Sequence, residues 1–108
     1  MALHITPRLT GGNVVLDLSG RLCFLETSLR EQVIGFLGQG HRDFVLNLTE
    51  VSYLDSFGLG QLVSVWTSIR NKNGQMKLLQ PNERVRTLLR ITKLDTVFQI
   101  DSTQVPAS

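Results

Sequence analysis

Ser56 is the residue of this chain whose surroundings are best suited to chemistry. It follows an almost wholly apolar run at 44–48, which is typical of a strand covered on both faces, and it precedes an amphipathic segment. We therefore expect Ser56 at a helix N-terminus, where unpaired backbone N–H groups and the helix dipole favour an anion. The apolar residues at the spacing of one helix face, with Trp66 at the centre of the buried stripe, are Leu59, Leu62, Val63, Trp66 and Ile69.

A serine on a strand-to-helix turn is also the position of the nucleophile in many hydrolases. Gly58 follows two residues later, as that turn requires, but Leu54 stands where the first glycine is needed. His41 precedes a five-residue strand that Ser56 follows, a separation of roughly 16 Å and beyond hydrogen-bond reach. This argument excludes His41 and leaves His4, in an edge segment, open. We expect no catalytic activity.

The glycines after Ser56 match nucleotide-binding loops poorly. Residues 58–63 fit half of the dinucleotide fingerprint, but Val63 replaces the third small residue and no acidic residue lies at 76–79. The single cysteine, Cys23, excludes an internal disulfide and a cysteine zinc cluster. The sequence therefore predicts no cofactor and no metal site. The carboxylates that show no recognisable metal spacing are Asp17, Glu26, Glu31, Asp43, Glu50 and Asp55.

Composition predicts one globular domain. The chain has 108 residues and 42% hydrophobic residues, which suits a single core at 1–101 with a frayed tail at 102–108. A net charge of +2, from basic residues that look scattered, does not favour direct binding of nucleic acid. No apolar run approaches the roughly 20 residues that span a bilayer, and the N-terminus does not resemble a signal peptide. We expect a cytoplasmic protein without membrane insertion.

Strands and helices alternate along the chain. Residues 3–9 are predicted as an edge strand interrupted by Pro7, joined by a turn at 11–13 to a strand at 14–18 that ends at Ser19-Gly20. The helix that follows is predicted to carry one apolar side, and glycine at 38–40 is expected to end it. Its apolar residues are Leu25, Leu29, Val33, Phe36 and Leu37, its cap is Thr27 or Ser28, and Ser28 with Glu31 fits a capping box.

The second half of the chain continues the alternation. The central helix is expected to end at 71–74 and to be followed by a short strand at 76–79. Asn82 is predicted to cap a last helix that carries Val85, Leu88 and Leu89, with a short strand or turn after it. The fold class is therefore α/β, with a mixed sheet of four to five strands, antiparallel at its start and parallel in its middle, and three to four helices.

The face of the central helix opposite its apolar stripe is neutral, with only Lys72 at its edge. A neutral face with one aromatic suits a docking surface. Two plainer interpretations remain: Asp55-Ser56 is a simple N-cap worth about 1 kcal/mol, or Phe57 packs beneath the preceding loop. The residues on that face are Phe57, Gln61, Ser64, Ser68 and Asn71, and the predicted partner-binding set is Asp55, Ser56, Phe57, Gln61, Ser64 and Ser68.

Residues 45–60 resemble the STAS domain family, which includes bacterial anti-sigma factor antagonists. The resemblance lies in an apolar strand, a linker, Asp-Ser, one further residue and Gly-Leu-Gly, with weaker matches at 18–22 and 74–78. It implies that Ser56 is phosphorylated by a partner serine kinase that is also the anti-sigma factor. The unmodified domain would bind this kinase, phosphorylation would release it, and a serine phosphatase would be a further partner. The alternative is an accessory subunit of a lipid or anion transport system.

Two positions depart from the family pattern. Cys23 stands where an aspartate associated with partner or nucleotide contacts is common, and the loop after it is one residue shorter. Phe57 stands where a small residue is usual. The first departure puts those partner or nucleotide contacts in doubt, and the second would narrow the choice of partner.

Overall fold

The computed structural model describes residues 3–23 and 27–101 and shows a five-stranded sheet with three α-helices. The strands pair in chain order, with β1 antiparallel to β2 and all later pairs parallel. This is the predicted α/β fold with a mixed sheet. The elements are β1 (His4–Thr10), β2 (Asn13–Leu22), α1 (Ser28–Gly38), β3 (Asp43–Leu54), α2 (Ser56–Asn71), β4 (Gln75–Leu79), α3 (Glu83–Ile91), a short 3₁₀ helix (Leu94–Thr96) and β5 (Gln99–Asp101).

The predicted hairpin between β1 and β2 is confirmed. Gly11 and Gly12 have φ of +56° and +86°, values that turns between paired strands need and that glycine adopts without strain. Pro7 lies in β1, an edge strand that pairs with β2 on one side only. On its outer side there are no strand-to-strand hydrogen bonds that the missing N–H of proline could break.

Two strands are longer than predicted. Ser19 and Gly20 do not end β2, which continues to Leu22 through register shifts on either side of the pair, with Gly20 at φ +105°. Residues 49–53 are not a linker but the second half of β3. Sheet pairing overrides the weak strand propensity of serine and glycine here. As a result Leu22 pairs with Leu54, and the end of β2 lies beside the start of α2.

The helices form a layer on one face of the sheet. Each of the parallel strand pairs β2–β3, β3–β4 and β4–β5 is joined by a right-handed crossover that leads to the next strand in the same direction. The helices of these crossovers, α1, α2 and α3, therefore lie on the same side of the sheet. Along β3 the residues facing that layer are buried, whereas Asn47 and Thr49 lie on the opposite, open face. The core between the layers includes Leu16, Leu29, Val33, Phe44, Leu46, Leu48, Leu62, Val65, Ile69, Leu78 and Leu89.

The helix ends confirm some predicted caps and correct others. Ser28 is the first residue of α1 and Thr27 precedes it without a side-chain cap bond, so the predicted capping box is wrong. The glycine C-cap is confirmed, because Gly40 has φ +99° and the His41 amide donates to the Phe36 carbonyl. Asn82 caps α3 as predicted, accepting from the Val85 amide at 2.9 Å. Leu25 and the tail at 102–108 lie outside the described residues.

The buried stripe of α2 differs from the predicted one. Val65, absent from the prediction, is fully buried, whereas Val63 and Trp66 are only partly buried. Trp66 is turned to the side of the helix, where its ring meets Phe98 edge-on at 6.3 Å and lies under Arg70. Trp66 is therefore at the margin of the core rather than at its centre.

Candidate functional site

A single residue, Asp55, joins β3 to α2. Its backbone is extended, with φ −115° and ψ −173°, and its carboxylate accepts a hydrogen bond from the Gly58 amide at 2.9 Å. Its carbonyl accepts from the Leu59 amide at 2.9 Å, which is the first bond of the helix. Asp55 is therefore the N-cap of α2.

Ser56 is the first residue of α2 and is exposed. Within residues 3–23 and 27–101 its hydroxyl makes no hydrogen bond. The predicted N-cap at Asp55-Ser56 is confirmed at Asp55, and the Ser56 hydroxyl takes no part in it. The Ser56 hydroxyl lies on the surface at the positive end of the helix dipole.

Gly58 fixes the position of this turn against the sheet. A Cβ at this residue would overlap the carbonyl oxygen of Leu22 and press on the side chain of Leu54. Only glycine lets the first turn of α2 approach the ends of β2 and β3 this closely. The serine is thus held on a rigid junction of two strands and a helix.

Phe57 keeps 58% of its surface exposed, so it is not packed beneath the preceding loop. The exposed ring of Phe57 is an apolar surface beside the Ser56 hydroxyl. The geometry agrees with the expectation that Phe57 lies off the core stripe.

The rest of the predicted outer face divides into two parts. Gln61 is half-buried and donates its amide to the Cys23 carbonyl at 2.8 Å, which ties α2 to the chain that leaves β2. Ser68 is also half-buried and accepts from Arg30 of α1 at 3.4 Å, whereas Ser64 is half-buried between them along the helix. Ser68 therefore lies toward α1 and Gln61 toward the end of β2, and the exposed residues of the predicted face are those at its two ends, Phe57 and Asn71.

The stacked pair of Arg21 and Tyr53 near Ser56 was not predicted from the sequence. These residues pair across β2 and β3, and the Arg21 guanidinium stacks on the Tyr53 ring at 4.3 Å from its centroid. They lie at the same end of the sheet as Ser56. The apolar Leu22 beyond the Ser-Gly pair was the indication in the sequence that β2 continues, and that pair obscured it.

Neither histidine is placed to activate Ser56. His41 precedes β3 and Ser56 follows it, so the whole length of a 12-residue strand separates them, at about 3.3 Å per residue in a molecule whose longest extent is 33 Å. His4 pairs with Ser19, which pairs with Glu50, so His4 is two strands away and well short of the end of β3. Both are beyond hydrogen-bond reach of the Ser56 hydroxyl.

Residues 3–23 and 27–101 contain no group of three or more histidine, cysteine, aspartate or glutamate side chains arranged to hold a metal ion. In the same part of the chain, no helix has the length and apolar character needed to cross a bilayer.

The fold and this site define a small α/β domain that presents a serine at a helix N-terminus on a rigid platform. The chain belongs to the STAS domain family, whose model matches residues 4–106. A crystal structure of a candidate anti-sigma factor antagonist from Thermotoga maritima has a TM-score of 0.83 and 30% identity, covering 92% of this chain and 86% of that one.

Two further relatives are also named as anti-sigma factor antagonists. A candidate anti-sigma factor antagonist of Thermotoga neapolitana is 40% identical over 68 residues, which are 63% of this chain and 60% of that protein. This chain thus spans about three fifths of that relative's length. The anti-sigma-B factor antagonist of Bacillus subtilis is 27% identical over 103 residues, 94% of each chain.

Proposed function

We propose that this protein is an anti-sigma factor antagonist that acts as a phosphorylation-controlled partner switch centred on Ser56. The observation that carries the proposal is the exposed Ser56 at the start of α2, with the cap held by Asp55 instead. The hydroxyl can be modified without loss of a bond that stabilises the helix. The relatives named as anti-sigma factor antagonists support the class of partner.

A phosphoryl group on Ser56 would be tolerated by the fold. It adds about −1.5 to −2 charges at neutral pH. The helix dipole and the backbone amides of the first turn favour this charge, while the neighbouring Asp55 carboxylate opposes it. Because Ser56 faces solvent, the remaining repulsion is screened, and the domain stays folded.

The same charge would disrupt a docked partner. When the interface forms, a phosphate beside Phe57 must either lose its hydration water or form an ion pair with a cation. A charge left imperfectly paired in an interface costs about 2–5 kcal/mol, which is roughly a 30- to several-thousand-fold loss of affinity. The unmodified form therefore binds and the phosphorylated form releases its partner.

The partner in this scheme is an anti-sigma factor that is also a serine kinase, and a serine phosphatase restores the binding form. This chain supplies the acceptor hydroxyl and no catalytic group, and the switch operates in the cytoplasm. The proposed contact surface is centred on the exposed first turn and extends toward α1. Its residues are Asp55, Ser56, Phe57, Gln61, Ser64 and Ser68.

The test combines modification and binding. Incubation with the cognate kinase and ATP should phosphorylate Ser56 alone among the eight serines, as mass spectrometry would show. In titrations, Ser56→Ala should bind like the wild type, whereas Ser56→Asp and Phe57→Ala should bind at least about 30-fold more weakly. Thr87→Asp adds the same charge to an exposed position of α3, outside the proposed contact surface, and should leave binding unchanged.

Thermal melts of each variant separate loss of binding from loss of folding. If Ser56→Asp binds as tightly as the wild type, or fails only because it unfolds, the charge switch is wrong. A permanently docked accessory subunit of a lipid or anion transport system would then be the better explanation.

A further inference from the structure

A hollow of about 360 Å³ opens between the C-terminal parts of α1 and α2. The residues that line it are Ile34, Leu37, Gly38, Ser68, Asn71 and Lys72. Leu37 is buried at its base, and Ile34 on its wall keeps 45% of its surface exposed. Arg30 of α1 donates to the Ser68 hydroxyl of α2 at 3.4 Å beside it. The two helices thus enclose a mainly apolar depression that faces solvent.

The missing side chain of Gly38 leaves this space open. A Cβ at Gly38 would have no atom within 4 Å, and the residue does not have a positive φ. Gly38 is not needed to end α1 either, because Gly40 is the glycine with φ +99° after the helix. Neither the backbone nor close packing therefore requires a glycine at position 38.

The charge around the hollow is positive. Lys72 lines it, Arg30 lies next to it, and none of the described residues that line it is acidic. Neither cation forms an ion pair within residues 3–23 and 27–101. Glu31, the one carboxylate of α1, is exposed and does not line the hollow, and α2 has no acidic residue. The hollow is complementary to an apolar group that has a carboxylate beside it.

We infer that this hollow binds a large aliphatic side chain, with a neighbouring carboxylate, of the same partner protein that contacts Ser56. The aliphatic group would remove water from Ile34 and Leu37, and the carboxylate would pair with Lys72. The inference rests on the proposed function for the identity of the partner. The chemistry of the bound group rests on the hollow itself.

The hollow is continuous with the contact surface proposed around Ser56. Ser68 belongs to both and lies 12 residues after Ser56 in α2, a distance of about 18 Å at about 1.5 Å per residue. A typical interface covers about 800 Å² of each partner, which corresponds to a patch roughly 28 Å across. One partner can therefore contact the first turn of α2 and the hollow together.

A second copy of this chain fits the hollow less well. The two aliphatic side chains with the highest exposure in the described part of the chain are Leu9 at 62% and Ile91 at 72%. Each of them directly follows an arginine, whose charge Lys72 and Arg30 would repel. A different protein can place a carboxylate at that position.

The hollow lies beyond the electrostatic reach of a phosphate on Ser56. The separation of about 18 Å exceeds the Debye length of about 8 Å at physiological ionic strength. The contact at the hollow should therefore contribute equally to the affinity of the unmodified and the phosphorylated forms. Effects at the two sites should multiply, as they do for independent sites.

The first test uses isocaproate, a branched aliphatic chain with a carboxylate, titrated into the whole protein and followed by NMR. Amide shifts should change at 34–38 and 68–72, with a Kd on the order of 1–10 mM for so small a ligand. Isopentylamine, with the same branched end and a positive charge, should bind at least about threefold more weakly. An absence of shifts at these positions, or equal binding of the amine, would overturn the inference.

Gly38→Leu fills the hollow and should abolish the isocaproate shifts. Gly35→Leu is the matched control, because Gly35 is an exposed residue of the same helix that does not line the hollow and whose added Cβ would also have no atom within 4 Å. This control should retain the shifts. Thermal melts confirm that both variants fold. Loss of the shifts in both variants would show that binding is not specific to the hollow and would overturn the inference.

The second test is titration with the anti-sigma factor kinase that phosphorylates Ser56. Gly38→Leu should weaken binding about tenfold, because a buried aliphatic contact is lost, and Gly35→Leu should change it less than about twofold. Gly38→Leu combined with Ser56→Asp should show the product of the two separate losses.

The variants separate the two hypotheses. Weaker binding by Gly38→Leu but not by Ser56→Asp would support the hollow and contradict the charge switch. The reverse result would overturn the inference about the hollow and leave the switch in place. A dimer of the protein alone that Gly38→Leu dissociates would show that a second copy occupies the hollow, and would overturn the inference as well.

Discussion

At the scale of single residues, Asp55 and Ser56 are adjacent but have different roles. The Asp55 carboxylate is half-buried and bound to the Gly58 amide, whereas the Ser56 hydroxyl faces solvent. A residue that caps a helix and is also modified would couple modification to helix stability. In the proposed switch the two roles belong to neighbouring residues, so a charge on Ser56 would alter the interface while Asp55 keeps the helix capped.

This division predicts different costs for two alanine substitutions. Asp55→Ala should lower the free energy of unfolding by about 1 kcal/mol, because the Gly58 amide loses its acceptor. Ser56→Ala should change it by less than about 0.5 kcal/mol, since no bond is lost within the described residues. Urea unfolding of both variants measures the difference. Equal losses would show that the hydroxyl has a structural role after all.

At the scale of elements, sequence patterns located the helices and strands better than their orientation. Periodicity identified α2 but included Val63 and Trp66 in the buried stripe and omitted Val65. A helical pattern with six apolar positions covers a wide arc, and only the packing of neighbours decides which part faces the sheet. The ends of β2 and β3 were missed because pairing between strands is a long-range effect that local propensity does not contain.

The orientation of α2 predicts unequal effects for two identical substitutions. Val65→Ala should lower the free energy of unfolding by about 2 kcal/mol, because Val65 is fully buried. Val63→Ala, in the same helix and only partly buried, should cost less than about 1 kcal/mol. Both values come from urea unfolding curves. A larger loss for Val63→Ala would mean that the helix is rotated relative to the sheet.

At the scale of the whole molecule, the two faces of the sheet are held differently. The helix layer covers one face with an apolar core, and a chain of polar contacts crosses the other. Asp17 accepts from Arg8 at 2.7 Å and from Asn47 at 2.8 Å, and Asn47 in turn accepts from Thr49 at 2.6 Å. A local motif in the sequence was enough to predict the location of Ser56. The polar network joins three strands, so no single stretch of sequence predicts it.

The network of polar contacts on the open face of the sheet predicts how the stability of the protein depends on pH. Partial burial by itself raises the pKa of Asp17, but hydrogen bonds from Arg8 and Asn47 outweigh it and hold that pKa below its usual value. A carboxyl with a lowered folded-state pKa contributes stability above its unfolded pKa, and this is lost as pH falls through the folded value. Arg8 stays charged throughout this range, so only Asp17 sets the window.

Asp17→Asn keeps the shape and removes the charge, so it should be less stable than the wild type at about pH 6. The difference in urea midpoint should shrink as pH falls through the lowered folded-state pKa of Asp17, because the carboxyl is then protonated in both the folded and the unfolded state. Glu31→Gln, on the exposed side of α1, is the matched control and should show a much smaller difference. A midpoint difference for Asp17→Asn that stays constant with pH would mean that the ion pair with Arg8 does not contribute. The pair is partly exposed, so added salt should also reduce the difference at the higher pH.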